Sequence, residues 1–306
     1  MRQSWPHGQA ILLGQHDLHF DMPANSNATE AYKDLTYQTQ AVHAHCLTLS
    51  SAHFRMQRGS AAGTMGLMFW SLNNQWQGQS DAAVDYTGRW KLLQHAAARY
   101  FAPTLLHLHA GWDTQPNSGW ADTNITAGVV NDTPRKGSAT VTVTLRSWAT
   151  GASLKSWRVT GDVPAFSSKN ISKWHKPQLL DGRDENEVFL TATVAIDAAG
   201  GEALPPPAPA HHFFNKIKHL KLVDPKLRLV FGSGRNLTVT VSCEAPAPFV
   251  FLDPGVLRGH FSDNGMLLLP SEPRTLTFDA AGEAVTAARL QAEVVARHPW
   301  GAQHPV

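Results

Sequence analysis

The chain has 306 residues, with 26 Lys and Arg against 24 Asp and Glu and a formal charge of +2. That length supports two or three domains with their own cores, and 42% apolar against 16% charged residues excludes a disordered chain. The near-even balance gives no electrostatic reason to expect a nucleic-acid or membrane-surface partner. No apolar run approaches a bilayer span, and Met1 to His7 hold no apolar stretch of the signal-peptide type. Cys46 and Cys243 lie too far apart in sequence for zinc spacing or a disulfide framework and are expected as free thiols. Ten Trp against four Tyr is a ratio that suits buried cores and sugar-stacking surfaces alike.

A helix is expected over about 31–58, where Leu35, Val42, Cys46, Leu49 and Met56 recur at spacings of three, four and seven. Asn27 and Glu30 form an N-cap pattern before it, and Gly59 supplies a stop. Met65 to Trp70 contains no polar side chain, the composition of a strand buried on both faces. A loop with Asn73, Asn74, Trp76, Asp81 and Asp85 follows. A second helix is expected over about 89–101, with Trp90, Leu93, Ala97 and Tyr100 as its stripe and Pro103 as its end. Helix, strand, loop, helix is a βα unit of a parallel sheet or barrel. Ligands bind at the carboxyl ends of such strands, which directs attention to Trp70 and the residues after it.

Beyond Pro103 the pattern is β. Thr140 to Leu145 alternates cleanly, Val188 to Val194 less so, and Ala210 to Phe214 reads as the last strand of a first sandwich. Gly and Pro residues over 199–210 mark a loop or linker. Leu227/Leu229/Phe231, Leu237/Val239/Val241, Phe249 to Leu252 and Leu276/Phe278 supply a second set of short strands.

Two ordered motifs carry a family resemblance. Gly66-Leu-Met-Phe-Trp70-Ser-Leu-Asn73-Asn-Gln-Trp76, followed by Asp85-Tyr-Thr-Gly-Arg-Trp90-Lys, resembles the end of the catalytic barrel of family 2 glycoside hydrolases, within them the β-mannosidases. Ala247-Pro-Phe-Val-Phe-Leu-Asp253 and Phe261-Ser-Asp-Asn-Gly265 are similar to the C-terminal β-domain of the same enzymes. The fold this implies is α/β plus all-β: the C-terminal βα units of a (β/α)8 barrel over 1–104, then immunoglobulin-like sandwiches over 105–217 and 218–306. The implied activity is retaining hydrolysis of terminal β-D-mannose, whose two carboxylates stand about 5–5.5 Å apart. Both are glutamates upstream of this region in the family. Glu30 is the lone Glu before residue 105 and sits where a helix N-terminus wants an acid, so no catalytic residue is assigned here. A full barrel takes about 250 residues, which makes the chain a C-terminal portion, expected to be inactive alone.

By the same resemblance Trp70 lines the floor of the sugar site and Asn73 is a candidate for a sugar hydroxyl. Asn74 replaces the family's Asp and Ser71 its Gln, while Trp76 and Trp90 are expected to pack. The implied partner is a β-mannoside oligosaccharide, bound together with the missing N-terminal half. No cofactor is implied. His43 and His45 are two apart on a helix and point different ways, and His107/His109 and His211/His212 lack carboxylate or Cys companions at ligand spacing, so no metal site is assigned. Asp263-Asn-Gly265 reads as a tight turn. Sequons at Asn27, Asn124, Asn131, Asn170 and Asn236 point to a lysosomal, vacuolar or secreted parent. The rival reading is a non-catalytic carbohydrate-binding or scaffolding protein, with Trp112, Trp120, Trp148, Trp157 and Trp174 as its stacking surface. A severed barrel should also leave both helices without part of their partner surface, so that 105–306 would fold better alone.

Overall fold

The computed structural model describes residues 8–78, 80–110, 124–198, 204–233 and 236–305. Helix α1 (Gly8–His19), helix α2 (Ala28–Met56) and helix α3 (Leu92–Tyr100) come first, and α1 has no counterpart among the elements expected from sequence. Asn27 caps α2 as its sequence pattern predicts, its Oδ1 accepting from the N–H groups of Thr29 at 2.9 Å and Glu30 at 3.3 Å. A 3-10 turn over Gln57–Gly59 ends the helix.

The buried face of α2 is not the stripe of large residues. Leu49 is exposed and Leu35 and Cys46 are half-buried, whereas Tyr37, Ala41, Ala44, Ala52 and Met56 join Val42 inside. Alanines fill positions where the helix backbone lies close to its neighbours, and a count of large apolar side chains overlooks them.

Met65 to Trp70 is not a strand. The segment runs without regular structure, and the local pairing nearby is Asn73 with Val84 and Val84 with Trp90. An apolar sequence becomes a buried strand only where neighbours take its backbone hydrogen bonds, and none does so here among the described residues.

The first sandwich contains β1 (Thr104–Ala110), β2 (Asn124–Asn131), β3 (Gly137–Ser147), β4 (Ser153–Val163), β5 (Ser167–His175), helix α4 (Lys176–Leu180), β6 (Val188–Ala198) and β7 (Ala210–Phe213). An antiparallel β1-β2-β5 sheet faces an antiparallel β4-β3-β6-β7 sheet. Leu106, Leu108, Ile125, Val129, Val141, Leu145, Trp174 and Leu190 meet between them.

The second comprises β8 (Arg228–Phe231), β9 (Thr238–Ser242), β10 (Ala247–Asp253), β11 (His260–Phe261), β12 (Met266–Leu268), β13 (Arg274–Asp279), helix α5 (Ala287–Glu293), β14 (Val295–Arg297) and helix α6 (Pro299–Gln303). Its sheets are β11-β13-β9-β8 and β12-β10-β14. Cys46 and Cys243 are free, one in α2 and the other in the second sandwich.

Helix α2 joins everything. Its N-terminal half packs with α3 against Phe249 and Phe251 of β10 and against Ile217, and the Tyr37 hydroxyl donates to the Phe249 carbonyl at 2.8 Å. Ala52 and Met56 at its other end pack on Leu105 and Val130 of the first sandwich. Ion pairs lock both ends. Arg297, nearly buried, reaches Asp34 at 2.7 Å and Asp253 at 3.3 Å, while Asp132 receives Arg55 and Arg58, each at 2.8 Å. Burial raises the Asp34 carboxyl above the ordinary range despite its contact with Arg297. The helices therefore rest on a large partner surface, although Leu49 of the expected stripe stays exposed and Leu35 and Cys46 are only half-buried. The partner is the pair of sandwiches.

Histidines line the seam between the helices and the first sandwich. His45 meets Phe213 and Phe249 at ring distances of 6.2 and 5.5 Å, His211 stacks on Phe213 at 4.8 Å, and His107 stacks on His109 at 5.1 Å. Burial first, then neighbouring histidines, lowers His45 to about 3. Burial and Arg99 lower His211 to about 4, and burial with Lys176 and nearby histidines lowers His212 to about 3. Burial holds His107 well below its usual range.

Three outcomes follow from this packing. Arg297→Ala leaves Asp34 without its counter-charge and should destabilise the chain by about 2–4 kcal/mol in urea denaturation; a change within experimental error would show the pair to be incidental. Residues 105–306 alone would expose Phe249, Phe251, Leu105 and Val130, and should melt below the full chain by calorimetry. His45, His211 and His212 bind protons in the unfolded chain once pH falls below about 6.5 but stay neutral when folded down to roughly pH 3–4. The stability they confer is whole above pH 6.5 and is lost on acidification, by about 1.4 kcal/mol per pH unit for each neutral histidine. His45→Phe should flatten a melting-temperature profile between pH 7 and 4.5, and an unaltered slope would refute this account.

Candidate functional site

The segment from Gly63 to Lys91 carries both sequence-predicted site residues. Trp70 is 81% exposed and Met68 93%, with Met65, Leu72 and Trp76 also facing solvent. Trp76 is thus not the packing residue that the sequence suggested. Phe69 points the other way, 6.5 Å from Tyr100 and 6.1 Å from Phe101, and anchors the segment to α3. The Trp70–Ser71 peptide is cis.

Backbone bonds hold the part that follows. Ala83 N–H donates to Ser71 at 2.9 Å, Val84 N–H to Leu72 at 2.8 Å and Asn74 N–H to Val84 at 3.0 Å. Asn73 is exposed, its side-chain amide donating to the Asn74 carbonyl at 3.3 Å. Trp70 and Asn73 therefore share one ordered, solvent-facing edge, without a carboxylate pair between them. Asp85 belongs to a closed turn: its Oδ1 accepts from the Thr87 N–H at 2.8 Å and hydroxyl at 2.6 Å, and its Oδ2 takes Arg89 at 2.8 Å. Burial opposes ionisation of Asp85, but the Thr87 and Arg89 contacts outweigh it and hold the carboxyl below the ordinary range. Arg89 also donates to the Gly255 carbonyl, and Trp90 stacks on His260 at 3.8 Å as the expected packing residue.

Glu30 pairs with Lys33 at 2.6 Å in the first turn of α2, in keeping with a capping role. No group of three His, Cys, Asp or Glu side chains among the described residues is arranged to hold a metal ion. Among the described residues, the Trp side chains of the rival reading do not offer a stacking surface: Trp148 and Trp174 are buried, and Trp157 packs on the sandwich core. Trp112 and Trp120 lie outside the described residues.

One cleft escaped the sequence reading. About 300 Å³ opens between the end of α2 and the outer face of the β1-β2-β5 sheet, with His53, Gln57, Ser60, His109, Lys169 and Asn170 among its walls. These residues come from distant stretches of chain, and the sequence marked two of them: Asn170 as a sequon and His109 as part of a histidine pair.

Comparison with known proteins places the fold in a class. Residues 123–219 match a mannosidase Ig/CBM-like domain and residues 222–302 an Ig-fold domain of the mannosidase type. The β-mannosidase of Capra hircus is 28% identical over 285 residues, covering 90% of this chain and 31% of that protein. The β-mannosidase of Rattus norvegicus is 29% identical over 296 residues, with the same coverage. The β-D-mannosidase structure from Dictyoglomus thermophilum superposes with a TM-score of 0.71 at 16% identity, over 95% of this chain and 32% of the other. An exo-chitosanase from Amycolatopsis orientalis shares the fold with a TM-score of 0.56 at 17% identity, over 87% and 34%.

The protein is thus built on the paired immunoglobulin-like domains of mannosidases. It is similar throughout to the C-terminal portion of β-mannosidases, and it spans under a third of the length of the curated relatives it matches.

Proposed function

We propose that this chain is the sugar-floor and support portion of a retaining β-mannosidase that removes terminal β-D-mannose from oligosaccharides. Residues 1–104 supply the last βα units of its (β/α)8 barrel, with immunoglobulin-like domains over 105–217 and 218–306 as their base. The exposed run Met65, Met68, Trp70 and Leu72 carries this reading. Apolar side chains concentrated on one segment mark a surface made to be covered, and a preceding part of a barrel would cover it and pair its backbone. Trp70 would then stack on the apolar face of mannose and Asn73 would meet a hydroxyl. The carboxylate acid/base and nucleophile belong to the length of the relatives that this chain does not span. A lysosomal, vacuolar or secreted site of action accords with the mammalian and fungal relatives, and no helix among the described residues is long and apolar enough to cross a membrane.

The purified 306-residue chain should not hydrolyse an aryl β-mannoside. Turnover abolished by changing one of its own Asp or Glu residues would overturn the assignment. Sequencing the 5′ end of the native transcript should extend the reading frame into Glu-bearing barrel strands. In that longer protein Trp70→Ala should remove about 1–3 kcal/mol of apolar contact and lower kcat/KM with little change in melting temperature. Unchanged kinetics with a large fall in Tm would make Trp70 a core residue.

A further inference from the structure

The five sequons are chemically unequal once folded. N-glycosylation replaces one hydrogen on the side-chain amide nitrogen and leaves the oxygen free to accept. Asn131 is fully buried, and its Nδ2 donates to the carbonyls of Arg135 at 2.7 Å and Pro164 at 3.0 Å. Both hydrogens are in use, and a sugar there would have to enter the protein interior. Asn131 is a turn-closing residue. Asn27 caps α2 through its oxygen alone and stays exposed, so capping and modification are compatible. Asn236 is exposed before β9.

Asn170 differs from these two. It is exposed on β5, an edge strand of its sheet, next to the break in register between Ala127 and Gly128. It also forms part of the cleft at the end of α2. Gly128 opposite it has no side chain; a Cβ there would strike the Met56 side chain at 2.5 Å and press the Asn170 Oδ1 at 3.3 Å. The far wall carries Gln57 and His53, with His109 crossing His53 nearly edge-on at 6.4 Å. Imidazole rings, an amide, a hydroxyl and an ammonium around about 300 Å³ suit one ring bearing hydroxyl and acetamido groups.

We propose that Asn170 is a glycan acceptor and that the first sugar of its glycan, an N-acetylhexosamine, seats in the cleft between α2 and the β1-β2-β5 sheet. The attached sugar then braces the end of α2 against the first sandwich. This does not depend on the mannosidase reading, because any passage through a eukaryotic secretory pathway offers the modification.

The full chain would be produced behind a secretory leader in eukaryotic cells and, separately, in the bacterial cytosol. Peptide mapping after enzymatic deglycosylation in ¹⁸O water marks each occupied Asn. The secreted protein should be marked at Asn170 and unmarked at Asn131. Release from Asn170 should be at least ten-fold slower in the folded than in the denatured protein. Ser172→Ala removes the sequon while keeping Asn170, and should lower Tm by a few degrees in the secreted protein and leave the bacterial one unchanged. An unmarked Asn170, a glycan on Asn131, equal release from folded and denatured protein, or the same Ser172→Ala effect from both sources would each overturn the proposal.

Discussion

Helix α2 is the one element on which the arrangement depends. Its 29 residues make a rod of about 43 Å, long enough to rest on both sandwiches at once. Tyr37 and Ala41 sit with Phe249 and Phe251 at one end, Ala52 and Met56 with Leu105 and Val130 at the other. Charged clusters around Arg297 and Asp132 fix its position along that length. A lone helix of this composition would gain little from propensity, and its order comes from the surfaces it covers.

The segments that resemble family motifs turn out to be the pieces that hold these parts together. Strand β10 is apolar from Ala247 to Leu252 because it serves two cores. Val250 and Leu252 face the sandwich interior, while Phe249 and Phe251 face the helices. Phe249 sits in the left-handed region at φ 53, within the irregular pairing of β10 with β12, and this turns its ring towards α2. Asn264 satisfies both backbone groups of Leu252, at 2.8 and 2.9 Å, and Asp263 takes Arg99. Gly265 lies so close to Leu92 that a side chain would collide with it, and its φ of 63 favours glycine besides. The Asp85 turn delivers Arg89 and Trp90 to the same sandwich. Invariance in such motifs would report domain docking as much as chemistry.

What is left for function is the part that docking does not consume. Trp70, Met68, Met65 and Leu72 are exposed, while Phe69 and the backbone bonds to Ser71 and Leu72 secure the segment. The segment is held from behind and bare in front. The second sandwich holds the end of that edge through Arg89 and Trp90.

The sequence by itself determined the elements whose signals are local. The Asn27 cap and the helix after it, the end of α3 before Pro103 and the alternating strands of both sandwiches are each written within a few residues, because capping and pleating act over a few residues. It also singled out Trp70 and Asn73, since composition and resemblance bear on single positions. Tertiary structure alone decided which face of α2 is buried, because that depends on surfaces far away in sequence. The same dependence left Met65 to Trp70 unpaired, as hydrogen-bonding neighbours are not encoded in a strand's own composition. It decided the seam of neutral histidines, the cleft beside Asn170 and the burial of Asn131 too, for these are properties of packing between distant stretches of chain.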